Sequence, residues 1–164
     1  IKGDERVLDI GCGDGKVTAY IASLLPKGSV LGIDNSLEMI RFAQSRVPQS
    51  AWTNLSFLYG DARDLHYIGE FDLVVSFATL HWILDHRPVL EGIKRSLKPG
   101  GRLFAQFGGR GNASEFFRIV DKEIAEGAWA QYFRNFSFPY GFFAAEEYKD
   151  WLDKAGLKLS LIPI

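Results

Sequence analysis

The run Val7-Leu8-Asp9-Ile10-Gly11-Cys12-Gly13-Asp14-Gly15-Lys16 sets three alternating glycines directly after a short apolar stretch. Glycines between a strand and a helix permit a tight turn and let backbone N–H groups come close to a ligand. Ligands of open α/β sheets bind outside the carboxyl ends of the strands, so this loop marks a site, although a bare strand-to-helix turn also calls for glycine. Asp34 closes the next apolar run, 19 residues after Gly15. A carboxylate there can accept both hydroxyls of a ribose, which points to a nucleoside. A dinucleotide is the first candidate, yet the sixth position from Gly11 is Lys16 where that pattern has glycine. Asp9 and Asp14 also sit in the loop. Two carboxylates repel a pyrophosphate and attract an ammonium group. A cationic nucleoside bearing an amino acid therefore suits the loop better. Gly60-Asp61-Ala62 ends a third apolar run. Asp61 can accept from an exocyclic adenine amine while the Ala62 N–H donates to a ring nitrogen; taken singly, Asp61 is equally a helix cap or a solvated turn.

Those groups need strand ends to hold them. Arg6–Ile10, Ser29–Asp34, Leu55–Tyr59, Phe71–Phe77 and Arg102–Phe107 read as strands, Phe71–Phe77 being apolar on both faces as a central parallel strand should be. Between them, Gly15–Leu25 carries Val17, Ile21, Leu24 and Leu25 on one helical face, and Ser36–Val47 carries Leu37, Ile40, Ala43 and Val47. Asn35 or Ser36 caps the second of these helices. A third opens at Asp85 and Pro88, and Lys98-Pro99-Gly100-Gly101 breaks it. This alternation demands crossovers between parallel strands, hence a doubly wound α/β sheet. Beyond it, Ser114–Glu126 and Ala144–Ala155 read as helices, the latter stopped by Gly156, and Leu157–Ile164 as a strand. The expected organisation is an α/β core over 1–111, an aromatic-rich cap over 112–143, and a last helix and strand over 144–164.

The chain has 164 residues, 47% hydrophobic and 24% charged, which is enough to bury a core and argues against disorder. Nineteen basic against twenty acidic residues give a formal charge of −1, which argues against a nucleic-acid footprint or a polybasic membrane anchor. One cysteine excludes an internal disulfide and a multi-cysteine zinc site. The Asp and His residues are scattered, so no metal site is expected. No apolar run approaches a membrane span and no signal peptide opens the sequence. The expectation is a cytoplasmic domain acting on a small molecule, of unknown oligomeric state.

The segments 7–18 (VLDIGCGDGKVT), 32–40 (GIDNSLEMI), 59–65 (YGDARDL), 71–83 (FDLVVSFATLHWI) and 97–107 (LKPGGRLFAQF) together resemble class I S-adenosylmethionine-dependent methyltransferases. The resemblance implies a Rossmann-like, mostly parallel sheet with flanking helices and S-adenosylmethionine laid across the strand tips. It implies that Asp9, Gly11, Cys12, Gly13 and Gly15 hold the methionine part and Asp34 the ribose. Asn35 and Met39 would line the adenosine, Gly60, Asp61 and Ala62 the adenine, and Ser76 and Phe77 the reactive methyl. The family sheet has seven strands; here the helix before the first strand and the seventh strand are missing, as expected of a domain cut from a longer protein. Two other readings stand beside the enzyme: a donor-binding or regulatory module, and an NAD-dependent oxidoreductase.

Methyl transfer needs alignment and desolvation more than acid–base help, unless the acceptor has a proton to lose. A carboxylate has none at neutral pH. Ala78-Thr79-Leu80-His81-Trp82-Ile83 resembles the LHW stretch of trans-aconitate and other small-acid O-methyltransferases. It makes His81 and Trp82 the candidate catalytic residues, with His81 hydrogen-bonding the acceptor, or else capping the strand end. His86 reads as surface and His66 as loop. Ten of the 23 aromatics fall within Trp129–Trp151. Most are expected in the core, with two or three touching substrate. Arg110 and Arg134 are the nearest candidates to clamp a carboxylate.

Overall fold

A computed structural model describes residues 1–48 and 52–160. Strands β1 (Arg6–Ile10), β2 (Ser29–Asp34), β3 (Leu55–Tyr59) and β4 (Phe71–Phe77) alternate with helices α1 (Lys16–Ser23) and α2 (Leu37–Arg46). Then come a 3-10 turn (Leu80–Trp82), α3 (Arg87–Ser96), β5 (Leu97–Gln106), α4 (Ser114–Ala125) and α5 (Ala145–Lys154). The expected order holds from β1 to α5, with β1, β2, β3 and β4 at the expected bounds.

All strand pairs are parallel and the sheet order is β3-β2-β1-β4-β5. The order reverses between β1 and β4, and that reversal opens a crevice at their carboxyl ends. Alternate β1 residues feed opposite layers. Val7 packs with Ile21, Ala22, Ile40 and Ala43 of α1 and α2, while Leu8 and Ile10 pack with Val89 and Ile93 of α3. Ser36 proves to be the α2 cap, its Oγ accepting the Met39 N–H at 3.3 Å.

Three expectations are corrected. Lys98–Gly101 does not precede β5 but lies inside it. Phe71 pairs with Leu97 and Leu73 with Arg102, so the intervening turn is a bulge, with Gly100 at φ +77° and Lys98 bonded to Asp72 at 2.7 Å. Leu157–Ser160 carries no strand, because no described neighbour offers it a ladder, and 161–164 lie outside the described residues. The sheet has five strands among the described residues. The aromatic segment is also less buried than expected. None of Trp129, Tyr132, Phe133, Phe136, Phe138, Tyr140, Phe142 and Phe143 is fully buried. Most pack on one another, as with Phe136 and Phe138 at 5.0 Å and Tyr140 and Phe142 at 5.2 Å between ring centres, while Phe143 packs on His86 and Trp151.

Candidate functional site

At the carboxyl end of β1 the chain bends across the end of β2. Gly11 and Cys12 both donate to the Ile33 carbonyl, at 2.8 and 3.0 Å. Gly11 has φ +76°, and a Cβ there would lie 2.1 Å from Thr79 Oγ1 at the tip of β4. Asp34 organises the rest. Its Oδ2 accepts the Gly13 N–H and its Oδ1 the Ser36 N–H, both at 2.9 Å. Each oxygen keeps a lone pair free. A Cβ on Gly13 would meet nothing within 4 Å, so the loop backbone lies open above this carboxylate.

Asp9 is 2% exposed, and its Oδ2 accepts the Thr18 hydroxyl at 2.7 Å. Its other oxygen has no hydrogen bond among the described residues. Burial, with Asp34 adding, pushes its carboxyl up to about 6 against the opposing Thr18 hydrogen bond. A buried, half-satisfied carboxylate beside a second acid fits the ammonium and ribose of S-adenosylmethionine better than a phosphate. Asp14 is turned away to Arg46 at 2.8 Å.

The other expected positions differ in what they offer. Cys12 is buried, its thiol pushed up by burial and by Asp9 and Asp34, so only its backbone borders the loop. Ser76 is fully buried and donates to the Ile10 carbonyl at 3.0 Å, a tie between β4 and β1. Phe77 is half-buried against Phe104. Asn35 and Met39 are exposed on the rim. Gly60 N–H donates to the Asp34 carbonyl at 3.0 Å, which brings Asp61 and Ala62 to the same edge. Asp61 is gripped by the Arg63 guanidinium, which holds its carboxyl below the usual range.

His81 sits on the 3-10 turn after β4. Its carbonyl accepts the Gly141 N–H at 2.9 Å and its Nδ1 the Gly108 N–H at 3.3 Å. The ring lies 5.6 Å from Trp82 and 5.9 Å from Phe142, and burial lowers its pKa. Trp82 is exposed and faces Tyr140. Arg110 pairs with Glu147 at 2.6 Å. Arg134 is exposed, with no ion pair among the described residues. His66 pairs with Asp64 on the surface. Among the described residues no cluster of His, Cys, Asp or Glu could hold a metal, and no helix is long and apolar enough to cross a membrane.

Sequence reasoning missed Thr18, Thr79 and His86. Thr18 orients Asp9, and Thr79 joins the Gly11 loop to β4; hydroxyls inside regular elements carry no distinctive pattern. Ala78, just before Thr79, takes φ +51°, a left-handed backbone that non-glycine residues adopt only when their surroundings enforce it. His86 is the third, and the surface reading of it is wrong. It is fully buried, bonded through Nδ1 to the Tyr148 hydroxyl and ringed by Phe107, Phe143 and Trp151, with Nε2 unpartnered. Its charged neighbours Asp85 and Arg87 pair with each other instead. Burial lowers the His86 pKa, so folding favours the neutral ring. That contribution is present above the ordinary histidine pKa of about 6.5 and is lost as pH falls below it. In thermal melts from pH 7.5 to 5.5, His86→Leu is therefore expected to lose less stability than the unaltered chain; equal slopes would show that His86 is not held neutral.

The model of a methyltransferase domain matches residues 1–156, and the chain belongs to that family. It is 40% identical over 101 residues to a trans-aconitate 2-methyltransferase of Deinococcus radiodurans, covering 62% of this chain and 37% of that one. It is 28% identical over 149 residues to a malonyl-(acyl-carrier protein) O-methyltransferase of Priestia megaterium, covering 91% and 52%. Among solved structures, phosphoethanolamine N-methyltransferase 2 of Haemonchus contortus, in complex with S-adenosyl-L-methionine, superposes with a TM-score of 0.75 and 27% identity over 95% of this chain and 34% of that one. The chain thus spans about half or less of the length of these relatives. The resemblance to class I S-adenosylmethionine-dependent methyltransferases holds.

Proposed function

We propose that this chain binds S-adenosylmethionine along the tips of β1, β2 and β3 and transfers its methyl group to a carboxylate oxygen of a small molecule. The observation that carries the reading is the buried Asp9 carboxylate of β1, with one oxygen unpartnered, beside the Asp34 carboxylate that ends β2 and grips the Gly13 N–H of the glycine loop. Asp9 binds the ammonium, Asp34 the ribose hydroxyls, and the rim at Met39, Asp61 and Ala62 borders the base. Bound there, S-adenosylmethionine supplies a methyl carbon made electrophilic by its sulfonium sulfur. The chain's own share is alignment and exclusion of water, with Trp82 and Tyr140 walling the acceptor side. The trans-aconitate and malonyl-carrier-protein relatives support a carboxylate acceptor.

Calorimetric titration with S-adenosylmethionine, S-adenosylhomocysteine and NADH tests the ligand, and methyl transfer to a panel of carboxylates, amines and alcohols tests the acceptor. Binding of NADH alone would overturn the reading; ligand binding with no transfer to any acceptor would favour a non-catalytic donor-binding module.

Asp9 makes the binding pH-dependent. Its raised pKa means that the protonated acid suits the empty fold, so ionising Asp9 costs stability as pH rises through about 6. An ammonium ligand reverses the preference and needs the carboxylate. Affinity for S-adenosylhomocysteine is expected to fall about tenfold between pH 7.5 and 5. Asp9→Asn should bind weakly with little pH dependence over that range. An equally steep dependence in Asp9→Asn would assign it to another group.

A further inference from the structure

We infer that His81 is locked in the tautomer that carries its proton on Nε2 and donates that hydrogen to an acceptor oxygen that is already anionic. The inference rests on the reading of this rim as a methyl-transfer site, and narrows its acceptors to those with no proton to lose. The Gly108 N–H points at His81 Nδ1 from 3.3 Å, so that nitrogen must offer a lone pair and the ring proton must sit on Nε2. Nε2 has no hydrogen bond among the described residues, and the ring is half-buried rather than enclosed, so this hydrogen is free to serve a ligand.

The lock is built from both sides. A Cβ on Gly108 would lie 2.9 Å from both Asn112 Nδ2 and Phe142 Cε1, which fixes the donating backbone. The Gly141 N–H grips the His81 carbonyl, and a Cβ on Gly141 would lie 2.1 Å from the Ile83 carbonyl. Trp82 and Phe142 hold the ring plane. No charged side chain pairs with His81 among the described residues. The other titratable groups at this end are Tyr140 beside the ring and His86, whose Nε2 lies 3.1 Å from the position of a Cβ on Gly141.

A base would take a proton on one of the two ring nitrogens. Protonation at Nδ1 sets an N–H against the Gly108 N–H, donor facing donor. Acceptance at Nε2 first requires moving the ring proton to Nδ1, with the same clash. His81 is thus a donor and not a general base. With a carboxylate acceptor the balance closes without one. An oxygen lone pair forms the bond to the methyl carbon, the carbon–sulfur pair returns to sulfur, and no proton moves. An ammonium or alcohol acceptor leaves a proton that nothing at this position can take.

The test uses the chain labelled with nitrogen-15 histidine, with the His81 signals assigned by their loss in His81→Gln. Long-range proton–nitrogen correlation is expected to show Nε2 protonated and Nδ1 bare at pH 7, and a protonated Nδ1 would overturn the inference. With S-adenosylhomocysteine bound, trans-aconitate should shift the Nε2 resonance and ethanolamine, which has no anionic oxygen, should not; the reverse pattern would also overturn it. In turnover, His81→Ala is expected to lower kcat/KM on carboxylates about 10- to 100-fold, and His81→Gln, which keeps an N–H donor, to recover much of that loss. Equal losses in both variants, with kcat/KM rising through the histidine range, would make His81 a base. Failure to bind S-adenosylhomocysteine would instead defeat the proposed function, while methylation of an amine by a chain that binds it would defeat only this inference.

Discussion

Asp34→Ala is expected to bind S-adenosylhomocysteine more weakly by about 1–3 kcal/mol, roughly 5- to 150-fold, in calorimetric titration. The carboxylate can act twice: it holds the Gly13 and Ser36 N–H groups, and each oxygen keeps a lone pair. The fold should survive the change. Gly13 and Ser36 are only half-buried, so water replaces the lost acceptor, and the strands of β1 and β2 keep their ladder. A melting temperature close to that of the unaltered chain, together with weakened binding, separates a lost ligand contact from a lost loop. Unchanged affinity would remove Asp34 from the ribose role.

Gly11→Ala should be the most damaging single substitution to the fold at this rim. Left-handed backbone costs a non-glycine residue about 1–2 kcal/mol. The new Cβ would also stand 2.1 Å from Thr79 Oγ1 and 2.6 Å from Thr79 Cβ, so the tips of β1 and β4 must part. The expected loss is on the order of 3 kcal/mol or more, a fall in melting temperature of roughly 6–12 °C. Gly13→Ala is the internal control. It shares the positive φ, at +51°, but has no neighbour within 4 Å of its Cβ, so only the conformational share, about 1 kcal/mol, should appear. Adding Thr79→Ala to Gly11→Ala should restore part of the loss, since the two nearest atoms go and Cβ stays. Similar melts for the two glycine variants would mean that the close approach to Thr79 does not constrain the fold.

What could be read in the chain before its structure was whatever is fixed by neighbours in sequence. The glycine loop, Asp34 and Gly60-Asp61-Ala62 lie at successive strand ends, and parallel crossovers bring such ends to one edge whatever the details of packing. Features set by distant partners were not legible. His86 is buried by Tyr148 and Trp151 of α5, some sixty residues on, while its adjacent charges suggested solvent. Lys98-Pro99-Gly100-Gly101 has the composition of a turn and forms one, but inside β5, because the chain resumes pairing on both sides of it. Asp61 read as an adenine contact, a helix cap or a solvated turn; only the folded turn brings Arg63 across it. A count of aromatics likewise could not distinguish rings stacked on each other from rings packed on a sheet.

The aromatic segment meets the turns after β4 and β5 through main-chain links from Gly141 to His81 and from Arg110 to Phe143, and through the rings of Tyr140, Phe142 and Phe143. On the proposed reading, Tyr140 of the acceptor wall therefore lies in a stretch of the polypeptide separate from the nucleoside rim. Under the proposed function, changes through residues 129–143, which include Tyr140, would reshape one wall facing the acceptor and leave the tips of β1, β2 and β3 untouched. Laboratory evolution toward a new acceptor should therefore accumulate its changes in that stretch first.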